Sequence, residues 1–282
     1  MADRGLPSFD LVVATVDRVE ELRRLLDSLA QQTHRAFRVL IVDQNEGGLL
    51  DAVVRDYASL DVVRLNAARG LSRARNAALS LIRADLVAFP DDDCVFPSDL
   101  LERVATRFEA NPDLAGLTGR AATEDGRSLA SWARDSALLT RENLWNRAIS
   151  FTIFLRAKLV AEIGDFDERL GLGSGGPWAS GEETEYLVRA LDRGARIEYE
   201  PSLVVLHEEK PLTPQALRSL AAREGASIGY ILRKHHYPPR TVARMLVRPV
   251  GGALLALARR DRARATFQLS TLRGRLRGYR TA

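Results

Sequence analysis

Apolar and polar positions alternate between two periods along the first half of the chain. Asp10–Thr15 (DLVVAT) is a near-continuous apolar run, the pattern of a strand buried on both faces. Val19, Leu22, Leu25, Leu26 and Leu29 then recur at helical spacing, with Asp17 offering an N-cap and Glu20 completing a capping box. Arg38–Asp43 reads as a second strand, 49–58 as a helix and Val62–Leu65 as a short strand. Ser72–Arg83 is predicted helical, Leu86–Phe89 a strand, Ser98–Ala110 a helix and Leu114–Thr118 a strand. This alternation implies a mostly parallel sheet with helices on both faces.

The second half is less regular. Residues 124–145 read as loops and short helices, followed by a strand over Ala148–Leu155 and a helix over Ala157–Ile163. Gly171–Gly181 (GLGSGGPWASG) is a glycine-rich loop. A helix at Glu182–Arg193, a strand at Leu203–His207 and a long helix at Thr213–His235 follow. Arg240, Arg244 and Arg248 recur on one helical face, and Pro249 is expected to break that helix.

Charge changes this picture at one end. Of the chain's overall +4, the segment from Arg233 onward carries +12, because it holds thirteen Arg or Lys and one acid, Asp261. The remainder is therefore net acidic. A basic appendage on an acidic body suits an anionic surface. Without aromatic interleaving or a nucleic-acid motif, a membrane is the expected partner and nucleic acid is not. A basic helical pair packed on the body is the other reading. No apolar run reaches the roughly 18 residues of an uninterrupted span, and the first ten residues lack a secretory pattern. The single cysteine, Cys94, reads as a small buried hydrophobe. The expected location is cytoplasmic, with a peripheral place on the inner face of the membrane left open.

The candidate chemistry is acidic. Asp17, Asp43 and the triplet Asp91-Asp92-Asp93 fall at or just after strand ends, where ligands bind in open α/β sheets. Three adjacent carboxylates repel unless a cation or donors neutralise them, and hard oxygen ligands suit Mg²⁺ or Mn²⁺. A solvated turn capping the next helix is the alternative. No G-x-G-x-x-G follows the first strand, which argues against a dinucleotide-binding dehydrogenase.

The ordered set formed by Ala14–Arg18, Ile41–Asp43, Arg69–Asn76, Phe89–Asp93, Gly164–Glu168, Gly181–Glu185 and Pro201–His207 resembles family 2 glycosyltransferases of the GT-A fold. The resemblance implies a Rossmann-like mixed, mostly parallel sheet. It implies a catalytic domain over 1–210, with a donor half of about 1–120 and an acceptor half of 121–210, and a helical basic extension over 211–282. Thr15, Asp17, Asp43, Arg75, Asp91 and Asp92 would bind a nucleotide-diphosphate sugar. Asp93 would hold Mn²⁺ or Mg²⁺, with His207 as a further ligand or else a structural histidine. Glu183 would be the base that deprotonates the acceptor, with Glu182 its rival, and Trp178 would either face the acceptor or pack. The acceptor implied is a glycan or lipid-linked saccharide. The aromatic that many members carry after the first strand is replaced by Val16, which leaves the base of the donor open. A sugar nucleotidyltransferase and an inactive binding protein are the competing functions. The first would lack an acceptor-side base like Glu183. The second has no need of all these acids.

Overall fold

The computed structural model describes residues 5–128, 131–208 and 212–281. The chain divides into two units. One comprises Met1–Arg69, Arg73–Phe166 and Tyr186–Glu209, and the other Gly70–Ser72, Asp167–Glu185 and Lys210–Ala282, each so far as it is described. The boundary expected at residue 210 lies outside the described residues.

The first unit is built on a nine-stranded mixed sheet. Its strands are β1 (Phe9–Thr15), β2 (Phe37–Asp43), β3 (Val62–Asn66), β4 (Leu86–Ala88), β5 (Cys94–Val95), β6 (Gly116–Ala122), β7 (Ala137–Leu138), β8 (Ile153–Arg156) and β9 (Ile197–His207). They lie in the order β3-β2-β1-β4-β8-β6-β9-β5, with β7 beside β9. The pairs β1–β2, β2–β3, β1–β4 and β6–β9 are parallel. Those that β8 makes with β4 and β6, and those that β9 makes with β5 and β7, are antiparallel.

Helices cover both faces. Phe9, Leu11 and Val13 of β1 pack with the apolar sides of α1 (Val19–Ala30), α2 (Asp51–Asp56) and α4 (Leu100–Ala110). Val12, one pleat away, packs with α3 (Leu71–Leu79), α5 (Ala157–Ile163) and α6 (Glu182–Asp192). Opposite faces at alternate positions are what a strand buried on both sides requires. Asp10 is tolerated inside β1 because Arg38, its register partner on β2, forks onto both carboxylate oxygens at 2.8 Å.

Three local expectations are corrected. Asp17 does not cap α1: the residue before the helix is Arg18, with no side-chain cap, and Asp17 sits in the left-handed region at φ +56°. The last strand begins six residues earlier than the apolar run suggests, at Ile197, because pairing with β6 orders the alternating stretch before it. The third correction concerns Pro249.

The second unit contains α7 (Pro214–Lys234), α8 (Pro239–Ala258) and α9 (Arg262–Thr281). Helix α8 runs straight through Pro249. Proline cannot donate to the carbonyl four residues back, here Met245. The Arg275 guanidinium of α9 donates to that oxygen instead, so the acceptor freed by proline is satisfied. Among the described residues, α8 alone is long and apolar enough, by length and composition, to cross a membrane. Arg244 and Arg248 interrupt it, which is why an uninterrupted-run criterion passes over it.

Helices α7 and α9 touch backbone to backbone through Gly225 and Gly229 on one side and Gly274 and Gly278 on the other. Both pairs are spaced i, i+4, so each forms a flat strip along its helix. A Cβ at Gly278 would come far inside van der Waals contact distance of the Ala226 carbonyl oxygen, and one at Gly229 would do the same to that of Arg275. Such overpacking costs on the order of 1–3 kcal/mol or more, because rigid backbone must separate. Gly278→Ala should therefore lower the thermal midpoint of the full chain by several degrees. Gly251→Ala on α8, where a Cβ meets nothing, should leave it unchanged or raise it. Differential scanning calorimetry of the two variants checks this contrast.

Candidate functional site

The chain runs β1, β2, β3 outward in one direction and then places β4 on the other side of β1. The carboxyl ends of β1 and β4 therefore form a topological switch point, where open α/β sheets bind ligands. The Thr15–Asp43 register of β1 and β2 and a bridge from Ala14 to Asp91 bring three of the candidate positions to this rim.

Asp43 is fully buried. Its Oδ1 accepts from the backbone N of Asn45 at 2.9 Å and from Asn45 Nδ2 at 2.7 Å, and its Oδ2 lies 2.7 Å from an Arg64 guanidinium nitrogen. Arg64 is absent from the sequence candidates. It reaches Asp43 because β3 lies beside β2 with Arg64 opposite Ile41, a pairing that no local pattern announces. Thr15 is buried beside it. Asp17 is exposed, pairs with Arg69 at 2.9 Å, and its N–H donates to Asn45 Oδ1.

The three carboxylates after β4 are met by different sets of partners, with Arg18 shared by two of them. Asp91 Oδ1 accepts from Arg75 at 3.2 Å and from Ser150 Oγ at 3.1 Å. Arg75 is itself only 1% exposed and lies over the Phe89 and Phe166 rings, so it acts from beneath Asp91. Asp92 accepts from Arg18 Nη1 at 2.9 Å, and Asp93 from the same nitrogen at 2.6 Å. Asp93 Oδ1 also lies 3.2 Å from His207 Nε2. The Cys94–His207 register of β5 and β9 sets this last contact, and the His207 ring stacks on Phe151 at 5.0 Å. Cys94 is buried, as a small hydrophobe at this crossing.

The two neighbours differ electrostatically. Burial outweighs the pull of Arg18 at Asp92 and raises its carboxyl above the ordinary range. At Asp93 burial again opposes ionisation, but His207 and Arg18 together overcome it and hold the carboxyl low. The rim thus presents a carboxylate kept ionised, next to a movable arginine and an imidazole.

The acidic helix start belongs to the second unit. The Ser72 hydroxyl donates to the Leu170 carbonyl, and the Leu71 N–H to that of Leu172, which anchors the glycine-rich loop. Gly171 holds φ +93° there with the Ser72 hydroxyl and the Glu182 carboxylate against it, so a side chain would be strained as well as crowded. Glu182 and Glu185 are buried, whereas Glu183 is half-exposed. Helical spacing explains the split, since positions i and i+3 share a face. Glu185 accepts from Lys234 Nζ at 2.6 Å and lies 3.0 Å from His235 Nε2. Lys234 also reaches Asp167 at 2.8 Å, and the Tyr230 hydroxyl donates to Asp167 at 2.7 Å. Burial opposes ionisation of Asp167, yet Arg169, Lys234 and Tyr230 hold it well below the carboxylate range. Trp178 packs on Tyr230 with ring centroids 4.2 Å apart, and its indole N–H is buried without a protein acceptor. Glu185, Lys234 and His235 were not among the sequence candidates. Glu185 was findable from its spacing to Glu182, the other two only from the fold.

Comparison with known proteins agrees with this architecture. The family model described as glycosyl transferase family 2 matches residues 10–162. A pre-mycofactocin glycosyltransferase of Mycobacterium tuberculosis is 27% identical over 264 residues, which cover 87% of this chain and 51% of that protein. The chain thus spans about half the length of this relative. The glycosyltransferase AglE of Haloferax volcanii is 23% identical over 216 residues, 73% of this chain and 68% of that protein. Among solved structures, the mannosyltransferase PcManGT from Pyrobaculum calidifontis, in complex with GDP-Man and Mn²⁺, superposes with a TM-score of 0.69 at 16% identity. The match covers 98% of this chain and 88% of that one. Residues 1–349 of S. aureus TarS, in complex with UDP-GlcNAc, give 0.62 at 17%, covering 96% and 91%. These likenesses establish a shared GT-A fold. With more than half of its residues matched by the family model, the chain belongs to glycosyl transferase family 2.

Proposed function

We propose that this protein transfers a sugar from a nucleotide-diphosphate donor to an acceptor hydroxyl, with a divalent cation and with inversion at the anomeric carbon. The observation that carries the reading is the cluster of Asp92, Asp93, Arg18 and His207 at the switch point. A donor of this type is what PcManGT and TarS hold on the same fold. Thr15, Asp17 and Asp43 are assigned to the nucleoside end. Asp91, fixed by Arg75 and Ser150, and Asp92 are assigned to the ribose and diphosphate.

The residues fit a cation. Asp93 Oδ1 and His207 Nε2 converge within 3.2 Å, an oxygen and an imidazole nitrogen of the kind Mn²⁺ accepts. No group of three or more His, Cys, Asp or Glu among the described residues could enclose an ion alone. That suits an ion bound by one or two protein groups, with donor phosphates and water completing the shell. When bound, the cation would stabilise the charge that grows on the diphosphate leaving group. Arg18, 42% exposed on a long side chain, is free to turn from the carboxylates toward a phosphate oxygen.

Glu183 is assigned the acceptor proton. It is the half-exposed acid of the helix start, whereas Glu182 is buried against the Gly171 turn and Glu185 is held by Lys234 and His235. Glu183 as acceptor-side base, with no nucleophile assigned beside it among the described residues, implies direct displacement through an oxocarbenium-like transition state. Trp178, with its unsatisfied indole N–H, is assigned to the acceptor side.

The acceptor is assigned to an anionic lipid surface. Helix α8 exposes Val247, Val250, Leu254, Leu255 and Leu257, and Arg244, Arg248, Arg259 and Arg260 flank them. Basic side chains bordering a wide aliphatic face describe a helix lying in a headgroup region. A spanning orientation would bury Arg244 and Arg248 in hydrocarbon at high cost.

Paired variants test the transfer. Asp93→Ala should abolish the metal-dependent part of nucleotide-diphosphate binding in calorimetry. Glu183→Gln should keep that binding and lose transfer by roughly 10²-fold or more, with NMR of the wild-type product showing inverted configuration. Undiminished binding in Asp93→Ala, or full transfer by Glu183→Gln, would remove the corresponding assignment. The lipid surface is tested by co-sedimentation of the full chain. Anionic vesicles should pellet it at low salt and neutral ones should not, and Leu254→Ser with Leu257→Ser should weaken the binding. Equal recovery from both vesicle types would contradict it.

A further inference from the structure

Helices α7, α8 and α9 surround a cavity of about 240 Å³ in the second unit. Its walls carry Glu224 from α7, Arg248 from α8, and Gln268, Thr271 and Arg275 from α9. A water occupies about 30 Å³ in the liquid, so a phosphate group and several waters fit.

The charges around this cavity are uncompensated. Arg248 and Arg275 stand close enough to repel, and neither forms an ion pair with a carboxylate among the described residues. Burial first, and then the charge of Arg248, push the Arg275 guanidinium down to about 10. One Arg275 nitrogen is spent on the Met245 carbonyl that Pro249 leaves free, which pins the side chain in place. Its Nε is buried with no acceptor in the protein. The guanidinium of the exposed Arg248 adds repulsion to one whose charged form burial already disfavours. An oxyanion between them would offset both. Glu224, exposed on α7, is the one acid on the wall, and it forms no ion pair with either arginine among the described residues. Gln268 and Thr271 add an amide and a hydroxyl.

We propose that this cavity binds a phosphate group, held by Arg248 and by the guanidinium of Arg275, with Gln268 and Thr271 beside it. The phosphate has two chemical sources, a lipid headgroup or free phosphate. Arg248 lies on α8 between Val247 and Val250, whose side chains are exposed, so a headgroup reaching in from a lipid surface is the favoured source. Only that choice of source rests on the lipid-surface reading; the cavity does not.

Calorimetric titration of the full chain with inorganic phosphate, against chloride at matched ionic strength, tests the site without any membrane. Saturable binding at one site is expected. Arg248→Gln should weaken it by about tenfold or more, as loss of a charge-assisted contact does. Arg275→Lys keeps a donor for Met245 and loses the forked guanidinium, and should weaken binding to a similar degree. Arg244→Gln, one turn away and not on the cavity wall, should change it by less than about threefold, the effect of diffuse charge alone. Absence of saturable phosphate binding overturns the proposal. So does equal weakening by Arg244→Gln and Arg248→Gln. The source is read from vesicles containing phosphatidic acid. A loss of vesicle binding in Arg248→Gln that exceeds the loss in Arg244→Gln assigns the headgroup, whereas equal losses in the two variants with weakened phosphate binding in Arg248→Gln assign free phosphate.

Discussion

Three carboxylates on consecutive residues cannot all remain ionised in a half-buried turn unless something opposes them, and the rim of the sheet is arranged around that constraint. Asp91 is met from below by Arg75, a buried guanidinium that lies over two aromatic rings. Asp92 and Asp93 share one nitrogen of Arg18, and Asp93 has His207 besides. Each partner comes from a different element, so the triplet ties α1, α3, β4 and β9 together as well as carrying charge. The structural demand and the chemical use coincide. Under the proposed function Arg75 stays fixed, while the part-exposed Arg18 would give way to a cation held by Asp93 and His207.

The helical unit solves a comparable problem differently. Helices α7 and α9 approach through glycine pairs, which allow backbone contact. A proline in the middle of α8 then frees a carbonyl that a buried arginine must cover. That arginine is kept charged in a poor environment by the need for its donor. The same compensation that lets α8 stay continuous creates the unsatisfied nitrogen beside the cavity.

Much of this was legible from the chain alone, for identifiable reasons. Strands buried on both faces are written as apolar runs, and β1, β2 and β4 lie within a residue of where those runs place them. The acids at strand ends are visible because an ionised group beside an apolar run is out of place. Partners that meet through sheet pairing carry no local mark. Arg64 finds Asp43 only through the β2–β3 register, and His207 finds Asp93 only through the short β5–β9 pair. Pro249 misled because the rule against helical proline concerns an orphaned acceptor, and the rescuer lies 26 residues further on in sequence, in another helix. The glycine pairs of α7 and α9 were present as spacing. Their meaning emerges when the two strips are seen to face one another.

The central claim is that Asp93 and His207 form the protein half of a metal–diphosphate site. Its most direct test is a crystal structure of the full chain grown with Mn²⁺ and a nucleoside diphosphate, with manganese located by anomalous scattering. The account predicts one anomalous peak within bonding reach of Asp93 and His207, with diphosphate oxygens completing the shell and Arg18 turned from the carboxylates to a phosphate. A bound nucleotide with no peak there, or a peak elsewhere while Arg18 still bridges Asp92 and Asp93, would contradict it.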